Sequence, residues 1–412
     1  MSQRGKVAII GGGLAGLACA GRLADAGRDF VLLESSDQVG GRVRTDEQDG
    51  FLFDRGFQVF LSAYPTASKL LDLEALDLRA FNPGALVFAD GKRRRMMDVF
   101  RSPRHALSTA LQPIGTLKDK LLVGKMRCQA RRLAAEAQER GDDYSTEEYL
   151  RRFGFSPAMI DGFFRPFYGG IFLERELRTS SRMFAFTFDM FARGFATVPT
   201  RGMQEIPKQL ARRLPPDCVR LNTSVVELSA NEVTIAEGEK LPVDTMVIAT
   251  DQSTAQKLLS QEHQPEGTWR SVTNLYYSAP SSPFNEAIIA LNAGSGLVNN
   301  VCAISDVAPS YAPPHQSLLS VSVLGTPDLP DLPAQVRNEL SIWFGPQVEQ
   351  WHHLRTDRIP RALPEQLPKT REESPGFRAH DGIFVCGDHC TSASIEGALT
   401  SGLRTADAIL AP

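Results

Sequence analysis

The chain has 412 residues, 42% hydrophobic and 23% charged, enough for two lobes and outside the range of a fibrous or disordered protein. A formal net charge of −3 offers no whole-chain attraction for nucleic acid, and none is expected as a partner. The six cysteines (Cys19, Cys128, Cys218, Cys302, Cys386, Cys390) form neither a CxxC pair nor a dense scaffold, which fits a reducing, cytoplasmic compartment.

Val7 to Ile10 is an apolar run too short for a signal peptide and reads as a strand buried on both faces. Leu14 to Ala26 reads as a helix ending at Gly27, and Phe30 to Leu33 as the next buried strand, a unit of the parallel, doubly wound α/β class. Similar runs return at Met246 to Ala249 and Ile383 to Cys386, so one nucleotide-binding lobe is expected from three separated pieces. No run of about 18 apolar residues exists, which excludes a spanning helix but not attachment to a membrane surface. Gly91 to Arg140 carries thirteen Lys or Arg against four acids, including Lys92 to Arg95. A solvated face and a docking patch for anionic lipid are the two readings of that run. Phe153 to Phe195 holds eleven of the 23 phenylalanines, readable as core or as the lining for an elongated apolar substrate.

Gly11, Gly13 and Gly16 form GxGxxG between strand and helix, where glycines allow a tight turn, approach to a pyrophosphate, and close helix–strand packing. Glu34 ends the second strand at the distance where an acid bonds ribose hydroxyls. Val39 to Arg42 (VGGR) then resembles the GGR of the superfamily of flavin amine oxidases, protoporphyrinogen oxidases and carotenoid desaturases. That resemblance implies a Rossmann-like FAD-binding domain of the two-dinucleotide-arm type with an interleaved α+β substrate domain, and FAD held non-covalently. It also implies that Arg42 pairs with the pyrophosphate, a task suited to a forked, always charged guanidinium. Gly387 and Asp388, followed by SASIEGALTSG from Ser392, resemble the second half of the cofactor site, where a helix start faces the flavin N1 and C2 carbonyl. Asn222 to Glu227 resembles the adenine-contacting hairpin, and Arg201 to Ile206 (RGMQEI) the glycine and methionine signature before a helix.

The implied cofactor contacts are Gly11, Gly13, Leu14, Ala15, Gly16, Glu34, Gly41, Arg42, Gly56, Phe57, Val225, Gly387, Asp388, Ser394, Ile395, Glu396 and Ala398. The implied division is an FAD-binding domain of residues 1–62, 196–252 and 355–412, and a substrate domain of 63–195 and 253–354 with a helical, membrane-facing part. Within the superfamily, FLFDRGFQVFLSAYP (Phe51 to Pro65) looks like plant-type phytoene and ζ-carotene desaturases at Asp54, Gly56, Phe60, Tyr64 and Pro65. RPFYGGIF (Arg165 to Phe172) is similar to a segment shared more widely with protoporphyrinogen oxidases. Gln58 stands where those desaturases carry histidine, and an amide does not titrate near neutral pH. Gln58 and His389 are the candidate catalytic side chains, and no metal motif is present. Amine oxidases place an aromatic residue before EGA; here Ser394 and Ile395 precede Glu396.

The preferred reading is hydride removal from a C–H of an apolar, isoprenoid-like substrate to flavin N5, with oxygen or a quinone as acceptor. A protoporphyrinogen or amine oxidase, a flavin-dependent isomerase and a non-catalytic FAD-binding lipid carrier are the alternatives.

Overall fold

Strands Val7–Ile10 and Phe30–Leu33 are buried along their whole length, as continuous apolar runs in a parallel sheet must be. They lie side by side, and Val7–Ile10 pairs on its other edge with Thr245–Ile248, which in turn pairs with Ile383–Val385, all parallel. Val219–Arg220 extends the sheet beyond Phe30–Leu33, and Arg378–His380 closes the other edge antiparallel. The computed structural model describes residues 6–139, 142–259, 268–369, 378–380 and 382–411. Beginning, middle and end of the chain therefore supply adjacent strands of one six-stranded sheet.

The other large sheet has seven strands, in the order His352–Pro364, Trp269–Ala279, Ser317–Leu324, Val298–Ala303, Ile289–Asn292, Gly84–Ala89 and Lys92–Met97. His352–Pro364 crosses the division expected at residue 355. All thirteen of its residues belong to this sheet, paired with Trp269–Ala279, so the chain leaves the sheet only after Pro364. The basic run Lys92 to Arg95 is the start of the outermost strand. Arg95 is tied to Glu286 and Arg94 to Asp90, an edge guarded by charge.

Helix Leu117–Glu139 packs against Ser181–Arg193. Arg127 reaches the Ala192 carbonyl and Arg182 the Ala137 carbonyl, so the two helices run antiparallel. Much of the phenylalanine-rich segment fills the core beneath them: Phe155, Phe164, Phe172 and Phe184 are each buried, with Tyr168 4.7 Å from Phe184 and Phe155 4.8 Å from Phe164 between ring centroids.

Helices Leu14–Asp25 and Ile395–Leu410 touch backbone to backbone. A Cβ on Gly402 would sit 2.1 Å from the carbonyl oxygen of Ala15. Arg22 pairs with Asp407 at 2.7 Å further along, so contacts ascend in the same order on both helices and their N-termini share one end. Gly402→Ala separates two opposed effects. Helix propensity alone favours alanine by about 1 kcal/mol, whereas overpacking costs about 1–3 kcal/mol. With backbone as the obstacle, the variant should be destabilised in a denaturant melt; a stabilised variant would contradict the close approach.

Candidate functional site

The three glycines of the first turn divide their work. Gly11 has φ +109°, and a Cβ there would lie 2.7 Å from the Ala249 carbonyl oxygen; on Gly16 it would lie 2.0 Å from that of Gly11. Both positions are closed by the protein's own backbone. Gly13 is different: a Cβ there would meet nothing within 4 Å. Gly13 thus presents open backbone just before Leu14 and Ala15 begin the helix. Gly40 and Gly41 lie across this turn, with the Gly40 N–H on the Gly12 carbonyl at 2.8 Å and a Gly41 Cβ position 3.3 Å from the Gly13 Cα.

Glu34 is buried at the end of its strand and held from two sides. Its Oε2 accepts the Gly12 N–H at 2.7 Å, and its Oε1 accepts the Ser36 N–H at 2.9 Å and hydroxyl at 2.7 Å. Ser35 Oγ makes a long contact to Oε1 at 3.5 Å, so three of the four donors crowd that oxygen, while Oε2, with the Gly12 N–H alone, has a lone pair to offer a ribose hydroxyl. The hairpin beginning at Val225 stands beside it, since the Thr223 N–H bonds the Glu34 carbonyl at 2.8 Å.

At the C-terminal end, Gly387 donates its N–H to Ser401 Oγ at 3.0 Å, fixing the turn that carries Asp388. Asp388 meets Arg42 at 2.6 Å, so two residues 346 positions apart form one ion pair. The Arg42 guanidinium also donates to the Ala362 carbonyl at 3.2 Å and lies 5.6 Å from the centre of the Trp269 ring. Arg42 therefore joins the nucleotide sheet to the seven-stranded sheet, with guanidinium N–H groups still available for a phosphate. Ser394 caps the last helix by accepting the Gly397 N–H at 2.9 Å. The Glu396 carboxylate turns away to accept the N–H groups of Thr66 at 2.8 Å and Ala67 at 3.1 Å. Only the backbone of Glu396, with that of Ile395, is left at the helix start; Ala398 is half-buried one turn on.

The two candidate catalytic side chains, Gln58 and His389, are both held by the turns around them. Gln58 donates from Nε2 to the carbonyls of Arg42 at 2.8 Å and Arg55 at 2.9 Å, holding the turn that aims Arg42. His389 packs against Gly387, and burial lowers its pKa, so the neutral ring is favoured. Burial pushes the nearby Cys390 thiol up to about 12, which disfavours the thiolate needed for a covalent flavin bond. Gly56 has φ +89° and lies under Ile359, while Phe57 meets Phe81 edge to face at 6.1 Å. Asp54 is raised to about 6 by burial, although Thr45, Tyr311 and the Met203 N–H all donate to it.

Gln366, Arg270 and Glu365 carry no sequence signal, yet they lie against the loop before the last helix. Gln366 donates to the Thr391 carbonyl at 3.0 Å and accepts the Ala393 N–H at 2.9 Å, clamping the loop before the last helix. Beside it lies a crevice of about 10 Å³, room for about one water. Phe172, Met183, Leu363, Pro364 and Ala393 supply its apolar walls, and Arg270 and Glu365, paired at 2.5 Å, its charges.

The open face of Gly13, the braced Glu34, the Arg42 guanidinium and the two helix N-termini at one end suit a pyrophosphate with an adenosine ribose at Glu34. These residues fit FAD. The glycines make the assignment testable. Gly13→Ala should leave the apoprotein's melting unchanged and weaken FAD binding by at least about tenfold, because its methyl group meets only the ligand. Gly16→Ala should lower apoprotein stability itself. Unchanged FAD affinity in Gly13→Ala would contradict the placement.

A family model described as flavin containing amine oxidoreductase matches residues 14–410. An L-amino-acid oxidase of Sistrurus catenatus edwardsii is 24% identical over 310 residues, a match covering 68% of this chain and 57% of that relative's length. The chain thus spans less than two thirds of this curated relative. Among solved structures, putrescine oxidase bound to putrescine superposes with a TM-score of 0.75 at 18% identity, covering 99% of both chains. A protein assigned as a protoporphyrinogen oxidase from Exiguobacterium sp. 255-15 gives 0.74 at 20% identity, again over 99% of both chains. These last two likenesses establish the fold. On the family match, which spans nearly the whole chain, the chain belongs to the flavin-containing amine oxidoreductase family, and FAD is its cofactor.

Proposed function

We propose that this flavin oxidoreductase removes a hydride from a C–H bond of an apolar, isoprenoid-like small molecule. The observation that carries the reading is the crevice next to Ala393: five of its nine lining residues are apolar, Thr179 and Gln366 are its uncharged polar ones, and its two charged side chains pair with each other. Bound FAD supplies a two-electron acceptor for the hydride. The protein's residues do the remainder. Gly13, Glu34 and Val225 hold the adenosine and pyrophosphate end, Arg42 and Asp388 the centre, and the N–H groups at Ser394 to Glu396 face charge at the flavin end. Phe172, Met183 and Leu363 exclude water and orient the apolar substrate. The carbon next to the hydride donor loses a proton, and Glu365 is the one carboxylate lining the crevice to receive it. Because the crevice holds about one water, its walls must part for any organic substrate. Oxygen or a quinone reoxidises the cofactor. Ser394 and Ile395 before Glu396 support this reading over an amine oxidase, since no aromatic residue stands there to flank an amine.

One observation favours a second reading. Arg270 and Glu365, separated from each other, would complement the carboxylate and ammonium of an amino acid, and the curated relative described above is an L-amino-acid oxidase.

Anaerobic titration of the oxidised holoprotein with a polyene, a porphyrinogen, putrescine and L-amino acids distinguishes the two. The polyene should bleach the visible flavin band. Bleaching by amino acids alone, abolished in Arg270→Met, would replace the first reading with the second.

A further inference from the structure

Ten large hydrophobic side chains are exposed among the described residues, and five of them fall within residues 100–121. Phe100, Leu107, Leu111, Leu117 and Leu121 are 53%, 72%, 73%, 68% and 76% exposed. Single exposed leucines are ordinary, but a cluster is not. Leu107 and Leu111 are four residues apart on and just after the short helix Ala106–Ala110; Leu117 and Leu121 are four apart on the first turns of Leu117–Glu139. Lys120 pins the two helices together, donating from Nζ to the carbonyls of Ala110 at 2.6 Å and Gln112 at 2.7 Å. Gly124, on the same helical face as Leu117 and Leu121, lies 3.8 Å from the Phe100 ring when given a Cβ, and Arg127 stands 5.7 Å over that ring.

The surrounding charge is predominantly positive. Residues 100–132 contain eight Lys or Arg and a single acid, Asp119, and although Asp98 pairs with Arg101 and Arg127 and Glu136 with Arg132, the cations outnumber these acids. Asp119 is buried, its carboxylate taken by Thr116 and Ser156. Lys118 and Lys125, seven apart and exposed, flank the leucine stripe. Aliphatic side chains protruding from a basic rim match a bilayer surface: the leucines enter the acyl boundary while lysine stems let their ammonium groups stay among acidic head groups. A second copy of the chain is a poor match, since two-fold pairing of this face would set like charges against each other.

We infer that the face formed by Ala106–Ala110 and the start of Leu117–Glu139 docks this protein on an anionic lipid membrane. The face borders the segment Phe51 to Pro65, because Arg101 donates to the Gly194 carbonyl and the Phe195 N–H bonds Ser62 Oγ at 2.9 Å. An apolar substrate arriving from the bilayer deepens the proposed function, but docking stands apart from it: flavin bleaching in detergent tests the one, vesicle binding the other.

The test is co-sedimentation of the holoprotein with phosphatidylcholine vesicles, with and without phosphatidylserine. Phosphatidylserine vesicles should bind it, less so as salt rises. Basic residues near such a surface each strengthen binding about fivefold, so Lys118→Glu with Lys125→Glu should weaken it by more than about tenfold. Leu117→Ser with Leu121→Ser should also release the protein, while Ile342→Ser, equally exposed but elsewhere, should not. The flavin band reports that each variant is folded. Failure of the wild-type protein to bind phosphatidylserine vesicles, or wild-type binding by both double variants, overturns the inference. So does a dimer dispersed by the leucine variants without vesicle binding, which would give the face to a second copy.

Discussion

The site depends on two parallel helices forced together at their backbones. Leu14–Asp25 and Ile395–Leu410 meet where Gly402 admits the Ala15 carbonyl, and Gly16 and Gly397 make similar room for the Gly11 and Ser392 carbonyls. Each helix carries roughly half a positive charge at its N-terminus, and because Ala15, the second residue of the first helix, meets Gly402, the eighth of the last, the two ends point the same way but are offset by about 9 Å along the axes. An extended anion that reaches both ends is favoured at each. A dinucleotide such as FAD, with its pyrophosphate and a flavin that gains negative charge on reduction, is a ligand that suits this arrangement. Because one helix opens the chain and the other closes it, the site forms only when the whole six-stranded sheet is assembled.

Between the sheets, the connection is made by few groups. Arg42 touches Asp388, Ala362 and the Trp269 ring, and Gln366 clamps the Thr391 to Ala393 loop from the end of the seven-stranded sheet. The loop before the last helix is thereby framed by residues from both sheets. Gln58 and Glu396 serve this frame indirectly, the first by fixing the backbone of Arg42, the second by anchoring Thr66 and Ala67 to the last helix.

What could be read from the sequence was what short-range geometry dictates. GxGxxG, Glu34 and the buried strands have fixed spacing for physical reasons, and in the structure two of the three glycines are closed by backbone while a Cβ on Gly13 would meet nothing. The helix within SASIEGALTSG was legible for the same reason, but its Ser394 cap is seen only in the structure. Side-chain direction was not. Whether Glu396 points to a cofactor or to Thr66, and whether Gln58 faces substrate or the carbonyl of Arg42, depends on partners hundreds or tens of residues away. Gln366, Arg270 and Glu365 lie on or beside strands with no local motif. Composition marked the basic segment Gly91 to Arg140 but not its parts: Lys92 to Arg95 is a sheet edge, and the exposed leucines further along the same segment are visible only once burial is known.

The central claim is that backbone and a few fixed charges, with no covalent bond, hold one FAD. Acid precipitation of the purified holoprotein tests it most directly. The account predicts intact FAD in the supernatant, one per chain, and a colourless pellet. Flavin retained in the precipitated protein, or a released flavin lacking the adenosine half, would contradict it.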